Sequence, residues 1–426
     1  MGRHLKVVVI FPGTVTAAWS VSDGIGNTLR KMGHEVRDFP RGRPYCPTLT
    51  PDDLKDADLI IASGFEHLSR DQRLSPFDDR YVSIALWKKL QIPKVAWYHE
   101  SARRPLDAPI ASVWKGIEPL IDQHFFPAIQ DAEMYDQPHF ANGRSHWLPF
   151  GVDTDVFKPA GCPKCKGYPE YLIKAKGLVT DLDLVMHPGS IIPVKNTDIV
   201  RTICEVCAGV GHVPTKKTVN IGFIGLMYGP RADYAAKLAQ HLHEVQIVTG
   251  SVQVVDLDGI PFEENAHRLA ANYRRIKIFF NFPAMSQLLV TKVYEIMACG
   301  TMLVTPYVTG AGEHNLDVFE HTKHLVYYDP NNLAFINQVL REFQERDTDR
   351  EFMALRGMRE VHEHHSLRLR LEQMLQVCKL TGDEDARRES SDSGAGKAGA
   401  EGTGSEDSPG LQATKPGIGD SPPHPD

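Results

Sequence analysis

The chain has 426 residues, 42% hydrophobic and 24% charged, a normal globular balance with room for two cores. Of its net charge of −7, most falls on residues 381–426, where ten acids face four bases, so residues 1–380 are nearly neutral and carry no strong nucleic-acid signal. No run approaches the roughly 18–20 apolar residues that span a bilayer, so no transmembrane segment is expected.

Lys6-Val-Val-Val-Ile-Phe11 reads as a first strand rather than a secretory leader, and Lys6 stands where a myristoylation signal needs Ser or Thr. The expected compartment is therefore cytoplasmic, with the seven cysteines reduced. Val21, Ile25, Leu29 and Met32 recur at helical spacing, and Gly33-His-Glu-Val36 stops that helix and starts the next strand. Further apolar runs at Asp58–Ala62, Pro93–Tyr98 and Asp122–Phe126 suggest a parallel sheet covered on both faces.

Leu148-Pro-Phe-Gly-Val-Asp-Thr-Asp-Val-Phe-Lys-Pro159 is a turn-rich linker whose prolines forbid helix. A second α/β series follows, with strands expected at 184–187, 219–224, 245–248, 276–280, 301–305 and 324–328. Helices are expected at 197–208, 231–243, 262–275 and 291–299. Residues 333–378 read as wholly helical, with Phe335, Val339, Leu340 and Phe343 on one face. The expected organisation is an N-terminal Rossmann-like domain (1–150), a linker or insert (151–182), a C-terminal Rossmann-like domain (183–332), closing helices (333–380) and a disordered acidic tail (381–426).

Several motifs resemble one family in the family's own order. The linker resembles the interdomain "pNGVDtdvFrP" signature of glycosyltransferases with the GT-B fold. Lys292-Val-Tyr-Glu-Ile-Met-Ala-Cys-Gly300 resembles their "EAMACG" donor segment, and Gly189-Ser-Ile-Ile-Pro-Val-Lys-Asn196 resembles "GRLvpeKN". Thr309-Gly-Ala-Gly-Glu-His314 is similar to the loop after the donor helix, and His364-His-Ser-Leu-Arg-Leu-Arg370 to the closing helix. The best-matching branch is the retaining group-1 type, with CgeB-like features around Phe223–Arg231. The resemblance implies two Rossmann-like domains facing across a cleft, residues 1–150 on the acceptor side and 183–332 binding the nucleotide sugar. It also implies transfer of a hexosyl or pentosyl group from a UDP-, GDP- or dTDP-sugar to an acceptor that the sequence does not identify, without a metal or other cofactor.

The chemistry of the donor segment follows from its residue types. A carboxylate in the first turn of a helix accepts from both vicinal ribose hydroxyls, the role expected of Glu295. The helix N-terminus near Lys292 aims N–H groups at a diphosphate, and Lys292, Lys195 and Arg231 are candidate counter-charges. Ser190 stands where the family has an arginine, while Gly13 and Thr14, after the first strand, permit close backbone approach to the donor. By residue type alone, Glu295 reads as a solvated helix residue, and Arg231 also fits a helix cap.

His99 and Glu100 follow a strand where the family places groups facing the sugar, and with Gln287 they form the candidate catalytic set; a strand-end histidine also fits a purely structural role. The family pattern has an acid at the position of Gln287, followed by glycines where Leu288 and Leu289 stand. An amide carries no charge, which leaves a catalytically inactive nucleotide-sugar-binding or carbohydrate-binding homologue as the alternative reading. Cys162, Cys165, Cys204 and Cys207 form two C-x2-C pairs, a candidate structural zinc set set against the simpler reading of free thiols, because Val200, Ile203, Cys204 and Cys207 would share one helical face. A phosphorylase reading finds no lysine motif for pyridoxal phosphate, and nothing positive favours an epimerase.

Overall fold

Runs of valine and isoleucine become strands here because both faces of each strand are covered. In the computed structural model, β1 (Lys6–Pro12) points Val7, Val9 and Phe11 into one core and Val8 and Ile10 into another. The residues described are 3–12, 19–21, 23–41, 50–64, 88–99, 118–135, 143–159, 170–174, 183–187, 190–194, 199–203, 217–225, 229–242, 247–250, 262–283, 289–307 and 318–380. They belong to one compact unit, Met1–Thr381, and the acidic tail lies outside them.

Helix α1 (Asp23–Lys31) buries Ile25 and Leu29. It ends at Gly33, whose φ of 93° is the left-handed conformation a helix stop requires, with His34 N–H donating back to Leu29 O at 3.1 Å. The strands β2 (Glu35–Arg41), β3 (Leu59–Ser63), β4 (Lys94–Trp97), β5 (Gln123–Phe126) and β6 (Ser145–Trp147) complete a six-stranded parallel sheet of order β2-β1-β3-β4-β5-β6. Short helices α2 (Pro51–Leu54) and α3 (Ile129–Tyr135) lie between strands.

Two expectations are corrected in the next segment. Strands β7 (Glu170–Lys174) and β10 (Ile199–Ile203) pair antiparallel, as do β8 (Asp183–His187) and β9 (Ser190–Val194). The run at 184–187 therefore belongs to a two-stranded ribbon and not to the second parallel sheet. Likewise the helix expected at 197–208 is a strand over Ile199–Ile203, where four β-branched residues in five favour extended backbone. The helical face invoked for Cys204 and Cys207 is lost with it, and all four cysteines of the zinc reading lie outside the described residues.

The second parallel sheet has the order β12-β11-β13-β14-β15, from β11 (Val219–Ile224), β12 (Val248–Gly250), β13 (Ile276–Phe280), β14 (Met302–Pro306) and β15 (Val326–Tyr328). Its edge strand begins at Val248, where 245–248 was expected. The helices are α4 (Gly229–Ala239), α5 (Phe262–Arg274), α6 (Thr291–Ala298), α7 (Leu333–Glu345), α8 (Asp347–His364) and α9 (Leu367–Val377). The last three fill the stretch expected to be wholly helical. Asn332 caps α7 by accepting from Phe335 N–H at 3.1 Å, and Ser366 caps α9 by accepting from Leu369 N–H at 3.2 Å.

The closing helix returns to the first sheet. Val152 of the linker donates to His365 O at 3.0 Å and accepts from Leu367 N–H at 2.7 Å, and α9 packs against α1. Gly151 is required at this crossing: a Cβ there would lie 2.8 Å from Arg370 Cγ and 2.9 Å from both Leu367 Cα and Ser366 O.

Candidate active site

Strand order decides where a ligand fits. In the second sheet the chain leaves β11 towards β12 on one side and returns to β13 on the other, which opens a crevice at the carboxyl ends of β11 and β13. Helix α6 aims its N-terminus there, and its N-cap residue, Val290, supplies no side-chain hydrogen bond. The far end of α6 is braced. His362 Nε2 lies 3.0 Å from Ala298 O, and Lys217 Nζ donates to Gly300 O at 2.6 Å.

Two cations converge on the crevice. Lys292 Nζ donates to Ile224 O at 2.8 Å and sits 5.0 Å from the Phe223 ring centre. The Arg231 guanidinium lies 5.2 Å from the same ring and donates from Nε to Pro283 O at 3.5 Å. Burial, reinforced by the Arg231 charge, lowers the Lys292 pKa to about 8, with Glu295 acting against both. Gly225 makes this approach feasible, since a Cβ on it would stand 2.7 Å from Lys292 Nζ and 2.8 Å from Phe223 Cζ.

Glu295 is the fifth residue of α6, a turn deeper than the first-turn position expected. It is 2% exposed and accepts from the Ser20 hydroxyl at 3.5 Å. Burial pushes its pKa up to about 7, opposed by the Lys292 charge and by hydrogen bonds from Ser20. Ser20 belongs to a 3-10 turn (Trp19–Val21) of the first domain, and its oxygen also accepts from Asp153 N–H at 3.1 Å. No local sequence signal marks Ser20 as a partner of the donor helix.

The first sheet has its own switch point, between β1 and β3. Ser63, the last residue of β3, donates to Val21 O at 2.7 Å and lies 2.8 Å from His99 Nε2. A hydroxyl has one proton, so His99 Nε2 must be the donor in that second bond. The His99 ring stands edge-on to Phe150 of the linker, 6.1 Å between centres. Thus Ser63 and the 3-10 turn lie between His99 and Glu295, two residues singled out from sequence.

Other expected site residues are placed differently. Ser190 opens β9, in the ribbon rather than the five-stranded sheet. Gly13, Thr14, Glu100, Lys195 and Gln287 lie outside the described residues. Among the described residues no group of three or more His, Cys, Asp or Glu side chains is arranged to hold a metal ion, and no helix is long and apolar enough to cross a membrane.

Residues 238–376, which contain α6 with Lys292 and Glu295 and the strands β13 and β14, match a family model described as glycosyl transferase-like. The fold is similar to that of a glycosyltransferase from Rickettsia africae, with 12% identity and a TM-score of 0.51 over 89% of this chain and 99% of that one. It is similar to Anabaena HepE in complex with UDP-glucose, with 11% identity and a TM-score of 0.53 over 88% of this chain and 100% of that one. Sucrose-phosphate synthase from Thermosynechococcus elongatus matches at 13% identity and a TM-score of 0.51, over 88% of this chain and 98% of that one. Residues 238–376 thus form a glycosyl transferase-like domain, and the fold of the chain is that of GT-B glycosyltransferases. A search of curated protein sequences gave no significant match. The family match covers the β13–α6–β14 unit and the closing helices, while the fold likeness extends to the first sheet.

Proposed function

We propose that the β11/β13 crevice binds a nucleoside-diphosphate sugar and that the enzyme transfers its sugar, with retention and without a divalent metal, to an acceptor held by the first domain. The observation that carries this is the convergence of Lys292 and Arg231 on Phe223, ahead of the uncapped start of α6, with the Glu295 carboxylate one turn further in. The α6 N–H groups and the two cations take the diphosphate. Such groups stabilise the charge that develops on a leaving nucleoside diphosphate, one well-placed donor contributing roughly 2.7–4 kcal/mol in a dry site. Glu295 exchanges its bond from Ser20 for bonds from the two ribose hydroxyls. HepE and an α-glucosyltransferase of the same fold were each captured with UDP-glucose, which favours UDP among the candidate donors UDP, GDP and dTDP. His99, oriented by Ser63, faces the sugar from the first domain, with Glu100 beside it in sequence and Gln287 contributing hydrogen bonds from the second. Lys195, Ser190, Gly13 and Thr14 complete the donor contacts in this reading.

Thermal stabilisation by UDP-, GDP- and dTDP-glucose, followed by donor hydrolysis and transfer assays with and without EDTA, tests this. UDP-glucose is expected to stabilise the wild type and not Glu295→Ala, with turnover unaffected by EDTA. Absence of stabilisation by any donor at millimolar concentration would sink the proposal. Gln287, in place of an acid, favours a second reading, a nucleotide-sugar-binding protein without turnover. Binding with neither hydrolysis nor transfer would select it.

A further inference from the structure

A cavity of about 520 Å³ lies at the β6 edge of the first sheet, three strands from the β1/β3 crevice. Its walls come from β5 and β6, from the linker at Leu148–Pro149, from the end of α8 and from one side of α9 as far as Val377. His146, His364, His365 and Arg370 line it, and among the described residues no aspartate or glutamate does.

Arg370 is 5% exposed, yet its guanidinium meets only neutral acceptors: Phe150 O at 3.4 Å, Gln373 Oε1 at 2.9 Å, and His365 Nδ1. Among the described residues it makes no ion pair, and these contacts use three of its five N–H groups. Buried guanidinium groups are ordinarily matched by an anion, because desolvating an unpaired charge is costly. His365 is neutral, its pKa driven down to about 3 by burial and by the Arg370 charge. With Nδ1 accepting from Arg370, its proton sits on the buried Nε2, which faces Glu360. Glu360, the acid on this side, approaches that nitrogen at 3.5 Å and His324 at 3.7 Å, and forms no ion pair with Arg370. Phe125, Leu148, Pro149, Val318 and Val377 give the wall an apolar part, beside the polar Ser145 and Gln373, with Trp147 at the rim, 38% exposed.

We infer that this cavity binds a small organic anion, a phosphate monoester or carboxylate on an apolar or aromatic body, with Arg370 as its counter-charge and Trp147 and Phe125 against the apolar part. This rests on the cavity alone and stands apart from the sugar-transfer reading. The occupant would also bear on the donor helix, because the His365 ring lies edge-on to Tyr294 at 5.6 Å between centres.

The test is isothermal titration of the full chain with phenyl phosphate, benzoate and inorganic phosphate, in wild type, Gln373→Glu and Trp147→Ala. Gln373 is exposed and its side chain contacts the guanidinium, so Gln373→Glu supplies an internal carboxylate without disturbing the core. It is expected to raise the unfolding temperature and weaken phenyl phosphate binding about tenfold or more, as replacement of a charged partner should. Trp147→Ala is expected to weaken phenyl phosphate and leave inorganic phosphate unchanged, and benzoate against phenyl phosphate reports which anionic group is preferred. Either of two results overturns the inference: no binding of any of the three anions to wild type at millimolar concentration, or equal phenyl phosphate affinity in wild type and Gln373→Glu. A purely structural Arg370 gives the first result even if Gln373→Glu stabilises the fold.

Discussion

The Ser20 hydroxyl donates to Glu295 Oε1 across 275 residues of chain, and both side chains are buried, at 0% and 2% exposure. Ser20 thus does for an empty carboxylate what ribose hydroxyls would do in the donor complex. If the two compete, Ser20→Ala should tighten UDP-glucose binding about fivefold, corresponding to roughly 1 kcal/mol for one hydrogen bond. The unliganded protein should lose a few degrees of unfolding temperature. Titration calorimetry and thermal scans measure both effects, and weaker nucleotide binding in Ser20→Ala would show that the serine assists the ligand rather than standing in for it.

Donor binding should be bell-shaped in pH. Accepting from ribose needs ionised Glu295, which is present above about 7. Pairing with the diphosphate needs protonated Lys292, present below about 8. Affinity is therefore expected to peak between these values, and Glu295→Gln should remove the acid limb while leaving the alkaline one. A flat profile from pH 6 to 9, taken as roughly spanning both limbs, would contradict the assignment.

The same two groups act oppositely on the stability of the unliganded protein. Glu295, raised from 4.5 to about 7, makes the folded state bind more protons, so its contribution falls as pH rises across that window. Lys292, lowered from 10.5 to about 8, makes the folded state bind fewer, so its contribution recovers as pH rises from 8 to 10.5. Glu295→Gln should accordingly stabilise the protein at pH 8, by on the order of 2 kcal/mol, and by little at pH 4.5. Urea unfolding at the two pH values checks this.

Gly225→Ala should push Lys292 off the Ile224 carbonyl, because the new methyl would sit 2.7 Å from Nζ. We expect UDP-glucose affinity to drop about tenfold, with a stability cost of roughly 1–3 kcal/mol for overpacking. At Gly151 the obstacle includes backbone, Leu367 Cα and Ser366 O at 2.9 Å, which cannot swing aside. Gly151→Ala should therefore cost more in stability than Gly225→Ala and have less effect on nucleotide affinity per kcal/mol lost. Chemical denaturation of both variants beside wild type decides the order.

The doubly covered strands were legible because continuous apolar runs such as 6–12 and 59–63 leave little else to do with them. Helix α6 was legible through the resemblance of Lys292–Gly300 to the donor segment, and Gly300, with a φ of 69°, ends it. The ribbon was not. An apolar run at 184–187 does not say which sheet it joins, and Val200 and Ile203 fit helical spacing while the β-branched composition around them favours strand. Ser20 escaped notice, and Gly151 and Asp153 were seen only as part of the linker signature, for a different reason. Their roles come from approaches between segments more than a hundred residues apart, and no local pattern encodes these.

The seating of α9 against α1 and Val152 has a consequence for the order of synthesis. A ribosome releases residues 1–150 long before Leu367–Val377 exists, so the first lobe waits, with the linker edge at Val152 unpaired, until nearly the whole described chain has emerged. The lobe made first is finished last.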